Sequence, residues 1–342
     1  MDNQTIIDEI KSNLTHNKET DVSYLQTELI VFRTLNNDEV VAALEQLLFS
    51  YLSKEEKAEY DQKTHEILSV RYDDYQNCLE LIKENKLDDA SKILVRLIKT
   101  YEKIENVKTF NYYDFEQLIE YIIITKSVDN AKKLNVKRYP EPITYYCYQL
   151  ALIYIKQNNL NDAKIYLEKA LKFNPASMYV REELANVYLS LDLINDAKNL
   201  CEQSLKMAYS KDLLSYFYQV LGLCYYRLSQ YDIALACLYA SIDFKEDSDV
   251  EELIASIIDK HNTSISHQEV ITLLSSKSIN YGPNKTLLNA CCDFIKYLKQ
   301  IKDFDDLKYL CIILYELTDQ EEYSQELQKV KIKEDEYNGK KK

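Results

Sequence analysis

Residues 145–175, YYCYQLALIYIKQNNLNDAKIYLEKALKFNP, carry apolar side chains three and four positions apart in two runs, separated by one polar break, QNNLND. That period puts the apolar set on one face of each of two helices, and the short break predicts an antiparallel helical hairpin. Only 3 Gly and 4 Pro interrupt the 342 residues. A chain so poor in breakers cannot make many tight β-turns, and it is predicted to be all-α.

The hairpin recurs. Leu150-Ala151 is followed by Tyr154, Ala163, Leu167 and Ala170; 34 residues on, Leu184-Ala185 is followed by Tyr188, Ala197, Cys201 and Ser204. After another 37, Leu221-Gly222 is followed by Tyr225, Ala234, Leu238 and Ser241. Small residues at Ala151, Ala185 and Gly222 on one helix, and at Ala163, Ala197 and Ala234 on the next, let paired helices approach closely. Tyr and Leu fill what is left. QNNLND, LDLIND and LSQYD supply the turns.

Over residues 144–246 this order of residues resembles the tetratricopeptide repeat (TPR). Where that family carries Trp, this chain has Cys147, Arg181 and Tyr218, and the Pro that ends the repeat survives only as Pro175. The resemblance implies a right-handed α-solenoid of helical hairpins. Weaker copies are predicted upstream, with first helices at 71–84 and 111–124 and second-helix alanines at Ala90 and Ala131. A degenerate pair is predicted downstream, at 285–299 and 301–317.

Residues 1–20 read as a disordered start, 21–70 as an N-terminal helical bundle (23–35, 38–52, 54–69), and 71–247 as the repeat array. Residues 248–332 read as degenerate repeats with a C-terminal cap, and 333–342 as a disordered tail. Capping boxes are read at Ser23/Gln26, Ser53/Glu56, Ser248/Glu251, Ser266/Glu269 and Thr318/Glu321. The segment 275–284, with the Gly-Pro pair, reads as a hinge.

Charge narrows the function. A net charge of −14 argues against nucleic acid as a partner and against docking on anionic lipid. No signal-peptide pattern and no apolar run of membrane-spanning length is found, so a cytoplasmic protein is expected. Eight cysteines without a CxxC pair read as buried, reduced thiols. His261 and His267 lack further ligands in register, and no phosphate loop, zinc-protease or nucleophile-elbow motif occurs. No enzymatic activity, cofactor or metal is expected.

The resemblance implies that the first helices line a concave groove that holds a peptide segment of a partner. Aligning repeats on the second-helix Ala places Tyr72, Tyr113, Tyr145, Tyr179 and Tyr216 at one face position. Tyr148, Leu152, Lys156, Glu182, Asn186, Gln219, Leu223, Tyr226 and Arg227 are expected beside them. The ladder could stack on an extended or helical ligand, or could seal neighbouring helices together. The Lys/Arg/Asn clamp by which one TPR subgroup grips acidic tails is matched only at Asn186, and Glu116, Glu120, Glu182 and Glu183 would favour a basic or neutral ligand. Three functions follow: an adaptor or scaffold; a peptide-responsive sensor, resembling bacterial pheromone receptors and response-regulator phosphatases; and a homo-oligomeric assembly module, a homodimer through exposed apolar residues within Leu307–Leu317.

Overall fold

The computed structural model describes residues 3–34, 38–53, 56–57, 73–101, 111–127, 136–138 and 142–339. The fold is all-α, of the helical-repeat solenoid class. Its helices are α1 (Asn3–Ser12), α2 (Lys18–Thr34), α3 (Asp38–Tyr51), α4 (73–83), α5 (Leu87–Tyr101), α6 (Leu118–Ser127), α7 (Ile143–Lys156), α8 (Leu160–Phe173) and α9 (Met178–Ser190). They continue as α10 (Ile194–Leu205), α11 (Lys211–Arg227), α12 (Tyr231–Phe244), α13 (Ser248–His261), α14 (His267–Ser276), α15 (Lys285–Ile301), α16 (Phe304–Thr318) and α17 (Glu321–Gly339).

The chain divides into two compact units, Met1–Asp114 with Leu134–Gln157, and Phe115–Lys133 with Asn158–Lys342. The division differs from the boundaries expected at 70/71 and 247/248. It falls inside the best-patterned stretch, after Gln157.

In the first unit, Ile7 and Ile10 of α1, Tyr24, Leu25, Leu29 and Phe32 of α2, and Val40, Leu44 and Leu48 of α3 share one core. The expectation of disorder to residue 20 is corrected here: α1 buries two isoleucines, which offsets the entropy of ordering it. The Asp21 carboxylate accepts from Thr15 N at 2.8 Å and Tyr51 Oη at 3.0 Å, and so ties the start of α2 to the end of α3. Ser23 lies inside α2 and caps nothing. Ser53 does cap: Glu56 N donates to Ser53 Oγ at 3.2 Å and Ser53 N to Glu56 Oε2 at 2.7 Å. Most of the helix expected over 54–69 lies outside the described residues.

Further along the same unit α4, α5 and α7 pack together, with Cys78 Sγ 3.6 Å from the Ala90 carbonyl and Tyr75 5.0 Å from Tyr146, ring to ring. The first helix expected from 111 is instead a strand, β1 (Asn111–Tyr113), paired in parallel with β2 (Val136–Arg138). Immediately after β1, Asp114 Oδ2 accepts the Thr144 amide at 2.6 Å and caps α7, whose own N-cap residue is Pro142.

In the second unit, neighbours from α8 to α12 pack in series. The small residues of the repeat lie where close approach needs them: Ala163, Ala185, Ala197 and Ala234 are all buried completely. Each hairpin turn closes on one residue in the left-handed region, at Asn158 (φ 57°), Asp192 (φ 58°) and Ser229 (φ 59°), and Asn85 (φ 60°) does the same in the first unit. Each sits five positions before the second-helix alanine. The next residue's amide then reaches back across the turn, as from Leu193 to Tyr188 O at 2.9 Å and from Gln230 to Tyr225 O at 2.9 Å. Asn and Asp tolerate this conformation because their short polar side chains bond locally.

The residues standing at the family's Trp position do different work. Arg181, 5% exposed, donates from Nε and Nη2 to the Pro175 carbonyl at 2.9 and 2.8 Å, and from Nη1 to Ser204 Oγ at 3.3 Å. It thereby fastens the α8–α9 turn to α10. Tyr218 stacks on Phe244 and its hydroxyl donates to the Asn280 carbonyl while accepting the Gly282 amide at 3.0 Å. Tyr281 Oη adds a bond to Asp243 at 2.8 Å. The 275–284 segment, expected as a hinge, is therefore fastened to α11 and α12.

Three helix ends also correct the sequence reading. α13 is capped by Asp247, one residue before Ser248, through the Asp249 and Val250 amides. Thr318 ends α16, its Oγ1 bonded back to the Leu314 carbonyl, so it opens no capping box, whereas Ser266 and Glu269 form the box expected of them. α17 continues to Gly339, past the tail expected from 333.

Candidate functional site

α9 and α11 are the first helices of two consecutive repeats, and each has one face in the core. On α9, Val180, Arg181, Leu184, Ala185 and Val187 are buried; on α11, Phe217, Tyr218, Val220, Leu221, Cys224 and Tyr225 are. The opposite faces carry the expected residues. Tyr179, Glu182, Tyr216, Gln219, Leu223 and Tyr226 are half-buried, and Asn186 and Arg227 are exposed. Their spacing of three and four defines one stripe on each helix.

The two stripes are locked together. Tyr216 Oη lies 2.8 Å from the Glu182 carbonyl and 2.8 Å from Asn186 Oδ1, and at the far end Arg227 Nη1 donates to the Leu189 carbonyl at 2.9 Å. Tyr226 receives Lys260 Nζ of α13 at 3.3 Å and meets His261 edge-on at 5.8 Å. Tyr216 thus has a sealing role that the sequence left open, while its ring remains half-exposed.

The electrostatics of the stripe are acidic at its start. Burial, with Glu183 and Asp212 adding to it, pushes the Glu182 carboxyl above its ordinary range, and burial does the same to Glu183. Tyr209, just before α11, is pushed up to about 12 by burial and by the charges of Glu120 and Glu182. Glu120 itself is not a surface charge as expected: 4% exposed, it accepts the Glu116 amide at 2.7 Å and Asn174 Nδ2 at 3.1 Å.

Sequence reasoning missed a contribution from α16. Tyr309 Oη donates to Gln117 Oε1 at 3.0 Å, beside α6, while Phe294 of α15 meets Tyr121 edge-on at 5.9 Å. Lys211, at the start of α11, pairs with Asp319 at 2.6 Å. These contacts bring Tyr309 toward Tyr209 and Glu120. Positions so far apart along the chain leave no local signal.

In the first unit Tyr145, Tyr148 and Leu152 are half-buried on α7 and Lys156 is exposed; Tyr145 lies 6.4 Å from Tyr75 and 6.5 Å from Tyr148. Tyr113 is in β1, opposite Arg138, rather than at the head of a helix, so it does not share the helical position of Tyr145. Tyr72 lies outside the described residues. Leu307, Leu310, Leu314 and Leu317, within the stretch expected to mediate self-association, are core; Ile312 and Tyr315 are its exposed apolar members.

All eight cysteines are free thiols, and seven are buried. His261 stacks on Tyr231 at 3.7 Å. Among the described residues no three His, Cys, Asp or Glu side chains are grouped to hold a metal ion, and no helix is long and apolar enough to cross a membrane.

Helical hairpins in series, with small residues between the helices and an open stripe on each first helix, define an α-helical repeat protein. Residues 144–177 match the tetratricopeptide repeat model, so this stretch is one repeat of that kind. Repeats of this family are protein-interaction elements and generally non-catalytic scaffolds. The N-terminal domain of stress-induced protein-1 (STI-1) from C. elegans is a solved structure similar over 33% of this chain and 93% of that one, at 14% identity and a TM-score of 0.32. No curated protein matches the chain.

Proposed function

We propose that the chain is a cytoplasmic adaptor that docks a segment of a partner protein on the open stripes of α9 and α11. Tyr179, Glu182, Asn186, Tyr216, Gln219, Leu223, Tyr226 and Arg227 form the contact; in the first unit Tyr145, Tyr148 and Leu152 of α7 are a stripe of the same kind, taken by itself. The observation that carries this reading is the Tyr216 hydroxyl, 2.8 Å from both the Glu182 carbonyl and Asn186, which holds two neighbouring stripes in fixed register. A preset surface costs less to order on binding. Half-exposed Tyr and Leu offer apolar area, and Asn186 and Gln219 offer amides to a ligand backbone.

A second reading, a peptide-responsive sensor, draws on the separate core formed by α1, α2 and α3, which is a candidate output module.

The test is capture of partners from native lysate by the full chain, beside a Tyr145→Ala/Tyr179→Ala variant and a Leu223→Ala variant. A protein retained by the wild type and lost by the variants, with helicity unchanged, supports the adaptor. Capture that survives both variants would place docking elsewhere on the molecule.

A further inference from the structure

The last three helices form a group with its own internal ties. α15 packs on α16, and α16 on α17. Lys299 of α15 pairs with Glu326 of α17 at 2.8 Å, and Cys292 Sγ lies 3.3 Å from Tyr323 Oη across the same two helices. The loop that leads into the group is pinned, because the Tyr218 hydroxyl holds Asn280 and Gly282 to α11.

Beyond that loop, the contacts that tie the group to the rest of the second unit are thin. α15 packs on α6, where Phe294 meets Tyr121 edge-on at 5.9 Å. Tyr309 Oη of α16 donates to Gln117 Oε1 at 3.0 Å, and Asp319, just past α16, pairs with Lys211 at 2.6 Å. Gln117 is exposed, and the Asp319 side chain is 76% exposed. Ion pairs and hydrogen bonds that water can replace hold weakly. A group tied internally, tethered at one fixed point and held elsewhere by weak contacts can swing as one body before the hairpins unfold.

The place it closes on bears on docking. Lys211 is the first residue of α11, and Tyr216, which fixes the register of the α9 and α11 stripes, follows within the next two turns.

We propose that α15 and α16 are a clasp on α6 and on the start of α11, that the clasp opens while the α8–α12 hairpins stay folded, and that its opening frees the head of the α11 stripe for a docked segment. The gating rests on the docking reading; the opening does not.

The opening is read by hydrogen exchange of the full chain at low and at high salt. Tyr309→Phe/Asp319→Asn removes the hydrogen bond and the ion pair, and Asn suits the φ of 56° at position 319. Glu326→Gln, which cuts the tie between α15 and α17, is the control. α6 has 10 residues, and a helix so short is marginal once its tertiary packing is lost, so its amides report the open state. In the wild type, α6 is expected to exchange faster than α9–α12, and faster still at high salt. In the clasp variant its exchange should quicken about tenfold and lose the salt dependence. Glu326→Gln should leave α6 at the wild-type rate.

Exchange in α6 that matches α9–α12, or that quickens equally in Glu326→Gln, would mean that α6 is released only by unfolding, and would overturn the clasp. Gating is read by capture from native lysate. The clasp variant should retain more of the same partner than the wild type does, and equal retention would overturn the gating while the docking reading stands. If the wild type retains no partner, the docking reading fails and the gating falls with it, while the exchange rates still decide the opening.

Discussion

Gly222 and Leu238 meet so closely that no side chain fits between them: a Cβ on Gly222 would lie 2.8 Å from Leu238 Cγ and 3.2 Å from the Ala234 carbonyl. This contact sets the separation of α11 and α12, and with it the angle at which α11 presents Tyr216, Gln219 and Leu223.

Gly222→Ala is expected to destabilise the protein, against helix propensity. Propensity favours Ala by about 1 kcal/mol, and overpacking costs about 1–3 kcal/mol. Cγ is not the free end of the leucine side chain, so Leu238 cannot clear the space by a simple rotation of its methyl groups. A lower urea midpoint is the expected outcome. Adding Leu238→Ala should make the second substitution cheaper than it is in the wild type, a favourable coupling visible in a double-mutant cycle. A midpoint that rises in Gly222→Ala would show that the helices separate without penalty.

Tyr218→Phe should loosen the 278–283 loop and leave the hairpins intact. The hydroxyl serves both the Asn280 carbonyl and the Gly282 amide, and Phe leaves both without that partner. The expected cost is about 1–2 kcal/mol. Hydrogen exchange should quicken at the Gly282 amide, while the α9 and α11 amides keep their protection. Unchanged exchange at Gly282 would assign the loop's order to the Tyr281–Asp243 bond.

The central repeats were legible because each requirement is local. The small residues that admit a neighbouring helix, and the Asn, Asp or Ser that takes positive φ five positions earlier, recur at nearly fixed spacing from 144 to 246. The strand at Asn111–Tyr113 was not legible: NYYDFEQLIEYIIITK reads as one helical run, and only the distant pairing with Val136–Arg138 makes its first three residues extended. α1 was missed for the same reason, since Ile7 and Ile10 are core only once α2 and α3 supply the other walls. Of the candidate site, the α9 and α11 stripes follow from periodicity. Tyr309 does not, because chain closure over a long separation brings it beside Gln117.

Alkaline pH should unfold the protein earlier than its carboxylate chemistry alone implies. Burial raises the thiols of Cys78, Cys224 and Cys311 from their ordinary 9.0 to about 11, and Cys291 to about 12; it raises the Tyr209 and Tyr281 phenols from 10.0 to about 12. In each case the folded chain holds its proton longer than the unfolded chain. Their contribution is therefore fully present below about pH 9 and is lost as pH rises through 9 to 12. The thermal midpoint should be little affected by these groups from pH 7 to 8.5 and fall steeply above it. Cys291→Ala should flatten part of the fall, and a slope unaltered in that variant would exclude its thiol as a contributor.

Arg181→Met should separate the guanidinium's bonds from its bulk. Met fills much of the same volume but returns nothing to the Pro175 carbonyl, which now accepts two N–H bonds at 2.9 and 2.8 Å, or to Ser204. Removing hydrogen bonds from a charged donor costs about 1.5–3 kcal/mol, and relief from burying an unpaired cation offsets part of that. The expected net loss is about 1–2 kcal/mol, concentrated at the α8–α9 turn. Arg181→Lys should fall between, since an ammonium reaches one of the two acceptors but cannot grip Pro175 with a planar fork. Equal stability of Arg181→Met and the wild type would mean that desolvation cancels the bonds, leaving the guanidinium to fix the geometry of the turn rather than its strength. The rank order of midpoints, wild type above Lys above Met, is the outcome that assigns the fastening to the bonds themselves.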